Sequence, residues 1–254
     1  VTSNPSPGYV ARIAAKFNNN GAGVRGDLGA VFSEILLDRG ALNPANREQS
    51  SFGKLREPML RFYQCARTCA TETTRAKWGV RLRMGNGAFG LGQLPLRSPT
   101  VFNFFRPGYT PPSSNLGGRG LSAPEFQITT DTTVCGYGNT MESLIRKGFE
   151  SFVNEDVYAT GIYQDPPKRY DQADFSEMMP LADQPDRLLD YLNLVLCAGR
   201  LGTLSRSIIR QAVLEITALT PDDQRVYPGI TLQQKKVHLA VFMVMISPDY
   251  VVQK

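Results

Sequence analysis

Between Trp78 and Pro124 the chain is dense in glycine and proline, residues that interrupt helices and strands. On both sides of that stretch, apolar residues return at the spacing of helical faces. The expected fold class is therefore mainly α: an irregular multi-helix bundle with a long ordered Gly/Pro/aromatic loop and a minor β-hairpin. Val80, Leu82 and Met84 alternate before Asn86-Gly87, which places the hairpin around Val80 to Leu91. The segment from Gly92 to Pro112 then carries Phe102, Phe104, Phe105 and Tyr109 among its prolines. Rings of that size need apolar cover. The segment thus predicts an ordered loop wrapped over the helices, with most of its aromatics buried.

The first part reads as a helical hairpin. Ser6 can cap, Pro7 suits a first helical position, and Val10, Ile13, Ala14 and Phe17 recur at helix spacing until Asn18-Asn19-Asn20-Gly21. Asp27 opens a second helix with an apolar stripe of Leu28, Val31, Phe32, Ile35 and Leu36. A polar connection, Asp38 to Phe52, leads to a third helical pattern from Lys54 to about Thr71. Pro58 is tolerated only in a first turn, so that helix starts near Glu57, with Leu60 and Tyr63 on its inner side. Helical pattern returns from Ala123 to about Val153. A polar, Pro-rich insert from Gln164 to Pro185 precedes three final helices. Their marks are Leu188, Leu192, Val195 and Leu196; then Leu204, Ile208, Val213 and Ile216; then a Thr231/Gln234 capping box closed by Ser247-Pro248. Short connections favour antiparallel packing of these helices.

Composition narrows the function classes. Lys and Arg outnumber Asp and Glu by 28 to 23, but they are spread along the chain, which reads as a mildly basic surface and not a nucleic-acid footprint. The longest apolar run, Leu239 to Ile246, is too short to cross a bilayer. The chain opens at Val1 in a polar, turn-like stretch, from which an absent upstream half is expected. Among Cys65, Cys69, Cys135 and Cys197 there is no CxxC pair. Cys65 and Cys69 share a helical face, and small buried thiols or disulfides are expected ahead of a zinc pair. Neither a metal site nor a cofactor is expected.

Several motifs dissolve on inspection. Gly85-Asn-Gly87-Ala-Phe-Gly90 spells the dinucleotide fingerprint, yet Gly92 and Pro95 forbid the helix that must follow it. Arg25-Gly26-Asp27 spells an adhesion tripeptide, but Asp27 is wanted as a helix cap. His238, the one histidine, lies in an apolar helix and reads as a packed side chain. Without it no Ser-His-Asp triad can be assembled from these residues. Glu57, Glu125 and Asp131 remain as candidate acids for a glycosidase-type pair, with Arg56 and Arg97 orienting substrate. Salt bridges fixing the long loop explain the same residues more simply, and Arg97 is expected to pair with Glu57 or Glu125. The chain discloses no catalytic reaction.

Four stretches carry a resemblance: Phe52-Gly-Lys-Leu-Arg-Glu-Pro58, the run from Leu91 to Tyr109, Ala123-Pro-Glu-Phe-Gln-Ile-Thr-Thr130 and Ser247-Pro-Asp-Tyr250. With the opening from Val1 to Leu28, they resemble a large bacterial family catalogued as domain of unknown function eighteen hundred, over nearly the whole chain. The resemblance implies that residues 1–254 are the C-terminal part of one larger helical domain. It implies an exported protein, periplasmic or extracellular, often encoded beside an alkaline-phosphatase-like partner protein. It implies no reaction, substrate or cofactor. Two functions are carried forward. The first is a structural or interaction component of the envelope or secreted fraction, with Phe102, Phe104, Phe105 and Tyr109 as contact residues. The second is a hydrolase of an extracellular polymer acting through the carboxylates. The expected partner is the upstream half of the same protein.

Overall fold

The computed structural model describes residues 1–49, 51–69, 90–93, 95–151 and 169–254. Its contacts divide into two units. Unit 1 comprises Val1–Arg56, Pro99–Thr129 and Val252–Lys254, and unit 2 comprises Glu57–Ser98 and Thr130–Val251. Most of the hairpin expected around Val80 to Leu91 lies outside the described residues, as do residues 164–168 of the Pro-rich insert.

In unit 1 the caps fall where the sequence placed them. The Ser6 hydroxyl accepts the Tyr9 N–H at 3.3 Å and opens α1, Pro7–Asn18. The Asp27 carboxylate accepts the Ala30 N–H at 3.1 Å and opens α2, Leu28–Leu37. Between them Asn19 and Asn20 turn the chain. Asn19 Oδ1 accepts the N–H groups of Gly21 and Gly23, and Asn20 Oδ1 accepts those of Ala22 and Val24. The polar connection is more regular than expected, since Asp38 caps a short helix α3, Arg39–Leu42, and Asn43 caps a 3-10 turn, Pro44–Glu48. Lys54–Leu55 pairs antiparallel with Val252–Gln253. Gly53 sits at φ 112°, and a Cβ there would lie 2.5 Å from the Gln253 carbonyl oxygen, so only glycine fits beside that pairing.

Unit 2 holds the hydrophobic core. Its first helix is α4, Pro58–Cys69, with Pro58 in the first turn as required. The inner side differs from the expected one. Phe62, Cys65 and Cys69 are buried, whereas Leu60 and Tyr63 are exposed. The long helix expected from Ala123 is broken in two. Pro124–Ile128 is a 3-10 turn belonging to unit 1, and α5 begins at Asp131 because Thr130 and Thr133 form a reciprocal capping box. It ends at Lys147, where Gly148 takes φ 87° and the chain enters the strand Phe149–Ser151, paired antiparallel with Arg169–Asp171.

Three further helices complete the core: α6 (Pro185–Cys197), α7 (Thr203–Glu215) and, after the short α8 (Pro221–Val226), α9 (Leu232–Ile246). Helix α9 packs on α5, α6 and α7, with Val237, Ala240, Val241, Val244 and Met245 buried. The last helical turn, α10 (Pro248–Val251), buries Tyr250, whose hydroxyl donates to the Arg61 carbonyl at 2.5 Å. Arg61 is itself buried, its guanidinium 4.2 Å from the centroid of the Tyr137 ring. The Tyr137 hydroxyl donates to the Met245 carbonyl at 2.9 Å. Among the described residues no helix is long and apolar enough to cross a membrane.

Candidate functional site

Helices α1 and α2 of unit 1 meet through polar groups. Arg12 of α1 grips Asp38, just past the end of α2, through Nε–Oδ2 at 2.5 Å and Nη2–Oδ1 at 2.7 Å. Lys16 lies 3.9 Å from Glu34, and the Tyr9 hydroxyl donates to the Ile35 carbonyl at 2.5 Å. The Arg12 hydrogen bond is the largest reason that the Asp38 carboxyl is held down to about 2. A Cβ on Gly40 would meet the Tyr9 ring at 2.8 Å and the Asp38 carboxylate at 2.9 Å, so that corner closes only around glycine.

The outward faces carry the opposite chemistry. On α2 the exposed residues are Leu28, Gly29, Phe32, Ser33, Leu36 and Leu37, without a single charge. Leu28, Phe32, Leu36 and Leu37 are 59%, 61%, 60% and 69% exposed. On α1, Val10, Ala11, Ala14 and Phe17 also face outward. An ordinary surface hairpin buries its apolar stripe and turns charge to water. This one does the reverse. Spacing alone puts Leu28, Val31, Phe32, Ile35 and Leu36 in one apolar stripe. In the structure only Val31 and Ile35 are half-buried, and the other three point outward. A signal for this was present: α2 has one charged residue in ten, Glu34, too few for a helix with a solvated side.

Glu57 precedes α4, half-buried, and accepts a short hydrogen bond from the Gln93 amide. Gln93 is 1% exposed, and its carbonyl oxygen accepts the Met59 N–H at 3.2 Å, so one buried amide ties Glu57 to the first turn of α4. Glu125 accepts from the Ser3 hydroxyl at 2.8 Å. Asp131 is exposed at the start of α5, and Arg56 is half-buried. The expected ion pair of Arg97 does not form: Arg97 is exposed, while Glu57 and Glu125 bond Gln93 and Ser3 instead.

The aromatic loop is held by hydrogen bonds, not by a core. The Arg106 N–H donates to the Gln127 side chain at 2.7 Å and the Ala123 N–H to the Tyr109 carbonyl at 2.7 Å. Burial of most of its rings is not observed. Phe102 is 78% exposed, and Phe104, Phe105 and Tyr109 are half-buried. The reason is that unit 1 offers little apolar interior: Tyr9 and Ala123 are its buried hydrophobic residues.

A family model described as "Protein of unknown function (DUF1800)" matches residues 1–252. The chain belongs to the DUF1800 family. No curated protein and no solved structure matches it. The stretches by which the chain resembles DUF1800 proteins now have structural roles. Phe52–Pro58 makes the Gly53 turn, one strand and the start of α4. The run from Leu91 supplies Gly92, at φ 66° with a Cβ position only 2.6 Å from the Thr133 methyl, and the buried Gln93. Ser247-Pro-Asp-Tyr250 stops α9, with the Ser247 hydroxyl bonded to the Val244 carbonyl at 2.7 Å, and seats Tyr250.

The remaining chemistry-bearing side chains are packed. His238 lies with its ring 5.2 Å from that of Phe175, and its Nδ1 has no hydrogen-bond partner. Desolvation, assisted by the nearby Arg146 cation, lowers it from 6.5 to about 4, so it is neutral near pH 7. All four cysteines are free thiols, with Cys65, Cys69 and Cys197 buried and Cys135 exposed. The disulfides allowed by the even count are not formed. A hydrogen bond to Cys69, more than burial itself, pushes the Cys65 thiol up.

Proposed function

We propose that this DUF1800 chain is a structural or interaction component of an exported bacterial protein, periplasmic or extracellular, and that unit 1 is its docking surface. One observation carries the reading: α1 and α2 spend their charges on each other and turn an uncharged apolar face outward. Contiguous exposed apolar surface of that kind marks an interaction site in a soluble protein. The partner proposed for it is the upstream half of the same protein, as the family resemblance suggests. An alkaline-phosphatase-like protein is the second partner to test. The carboxylates add no comparable support for hydrolysis, since Glu57 and Glu125 are taken up in fixing local structure and Asp131 stands exposed at a helix start.

Hydrogen exchange tests the docking reading. Amides of residues 28–37 should be better protected when the chain is expressed joined to the upstream half than when residues 1–254 are studied alone. Equal protection in the two forms removes the reading. Fractionation of the native cells tests export, with the protein expected outside the cytoplasm; a cytoplasmic pool would end that part of it.

A further inference from the structure

We infer that the segment covering the outer face of α2 is an α-helix with a ridge of apolar side chains at four-residue spacing and carboxylates at both ends. The inference rests on the docking reading above and adds the chemistry of what docks.

Shape argues for a helix. Gly29 and Ser33, four residues apart, form a low notch between the taller Leu28, Phe32, Leu36 and Leu37, all on the exposed side. A Cβ added at Gly29 would meet only the Asp27 carboxylate, at 3.3 Å, so the notch is open outward. Rows of side chains at four-residue spacing pack into such grooves on a second helix. A lipid surface has no ridge to fill a notch. The hairpin also lacks the cationic polar face of an interfacial helix, because Arg12 and Lys16 are turned toward Asp38 and Glu34.

Charge argues for acidic ends. Unit 1 carries ten Lys and Arg against five Asp and Glu, so the whole +5 excess of the chain resides there. Of its exposed charged side chains, six are cationic and one, Glu48, is anionic. Arg25 and Arg39 are both exposed and bracket α2 at its two ends, about 20 Å apart along a helical path. A partner helix lying along α2 therefore meets a cation at each end and none between. A second copy of this chain fits poorly. Pairing α2 with itself, parallel or antiparallel, sets Arg25 or Arg39 against another arginine.

The test uses residues 1–254 and two synthetic helical peptides sharing one leucine ridge, one ending in glutamates and the other in lysines. Fluorescence anisotropy should show the glutamate-ended peptide binding about tenfold more tightly at low salt, with the difference shrinking as salt rises. Phe32→Glu and Ser33→Trp, both at exposed positions, should abolish binding without moving the melting temperature. Equal binding of both peptides, lost in Phe32→Glu, would overturn the acidic ends and leave the docking face standing. Binding of neither peptide, with no reduction of apolar dye uptake in Phe32→Glu, removes both the inference and the reading beneath it. Self-association relieved by Phe32→Glu would make a second copy the occupant, and partition onto anionic vesicles with no peptide binding would make it a membrane. Either overturns the inference.

Discussion

Arg12 and Asp38 are joined by two parallel hydrogen bonds, Nε to Oδ2 and Nη2 to Oδ1, and this pair locks α1 to the end of α2. A fork-to-fork pair fixes geometry as well as charge. Asp38 also accepts the Gly40 N–H at 2.5 Å and so holds the corner into α3.

The pair makes unit 1 acid-sensitive. Asp38 drops from the ordinary 3.8 to about 2 in the fold, so its contribution is complete above pH 4 and is lost as pH falls from about 4 toward 2. Protease sensitivity of the α1–α2 hairpin should rise across that window. In Asp38→Asn the hairpin should be more sensitive at neutral pH and change less with acid. A pH response identical to that of the parent protein would remove Asp38 as the cause.

His238 titrates in a higher window. Its folded value, about 4, lies below the ordinary 6.5, so the unfolded chain binds a proton that the fold refuses. Stability contributed by the neutral ring is full above pH 6.5 and falls as pH drops toward 4, by an amount on the order of 2–3 kcal/mol. Thermal melts of the parent between pH 7.5 and 4.5 should show this decline. His238→Phe, which extends the contact with Phe175, should flatten it.

Gln93 is a buried polar side chain of unit 2 with partners at both ends of its amide. Replacing it by leucine leaves Glu57 and the Met59 N–H without their partner at a buried position, costing about 2–3 kcal/mol in a denaturant titration. By contrast Phe102→Ser, at an exposed ring, should stay within about 0.5 kcal/mol of the parent. Phe104→Ala, half-buried beside Phe105 at 6.2 Å, should cost about 1 kcal/mol, less than an emptied core site.

Thiol labelling follows the burial pattern. Cys135 alone is exposed, so a maleimide should modify one cysteine in the native protein and all four after unfolding. Fast native labelling of Cys65 or Cys69 would show that α4 opens readily.

Local chemistry was legible in the sequence because it acts over a few residues. Ser6, Asp27 and the Thr231/Gln234 box cap the helices they were expected to cap, and Pro58 falls in a first turn. A cap needs only its own side chain and the next three N–H groups. The family was readable too, because its motifs run in order along the chain.

Only the tertiary structure decided which faces are inside. In α4 both Phe62 with Cys65 and Leu60 with Tyr63 sit at helical spacings, and the packing of that helix chose the first set. In α2, apolar residues surround most of the helix, so periodicity could not select a side. Arg12 and Lys16 selected it by pairing inward with Asp38 and Glu34, residues 26 and 18 positions away in sequence. Glu57 and Gln93 are separated by 36 positions, and nothing local to either one announces the other. A long-range partner is set by which backbones come together. That is why the candidate acids and aromatics, and the scarcity of charge on α2, could be read from sequence, while the side that α2 turns outward was decided only by the fold.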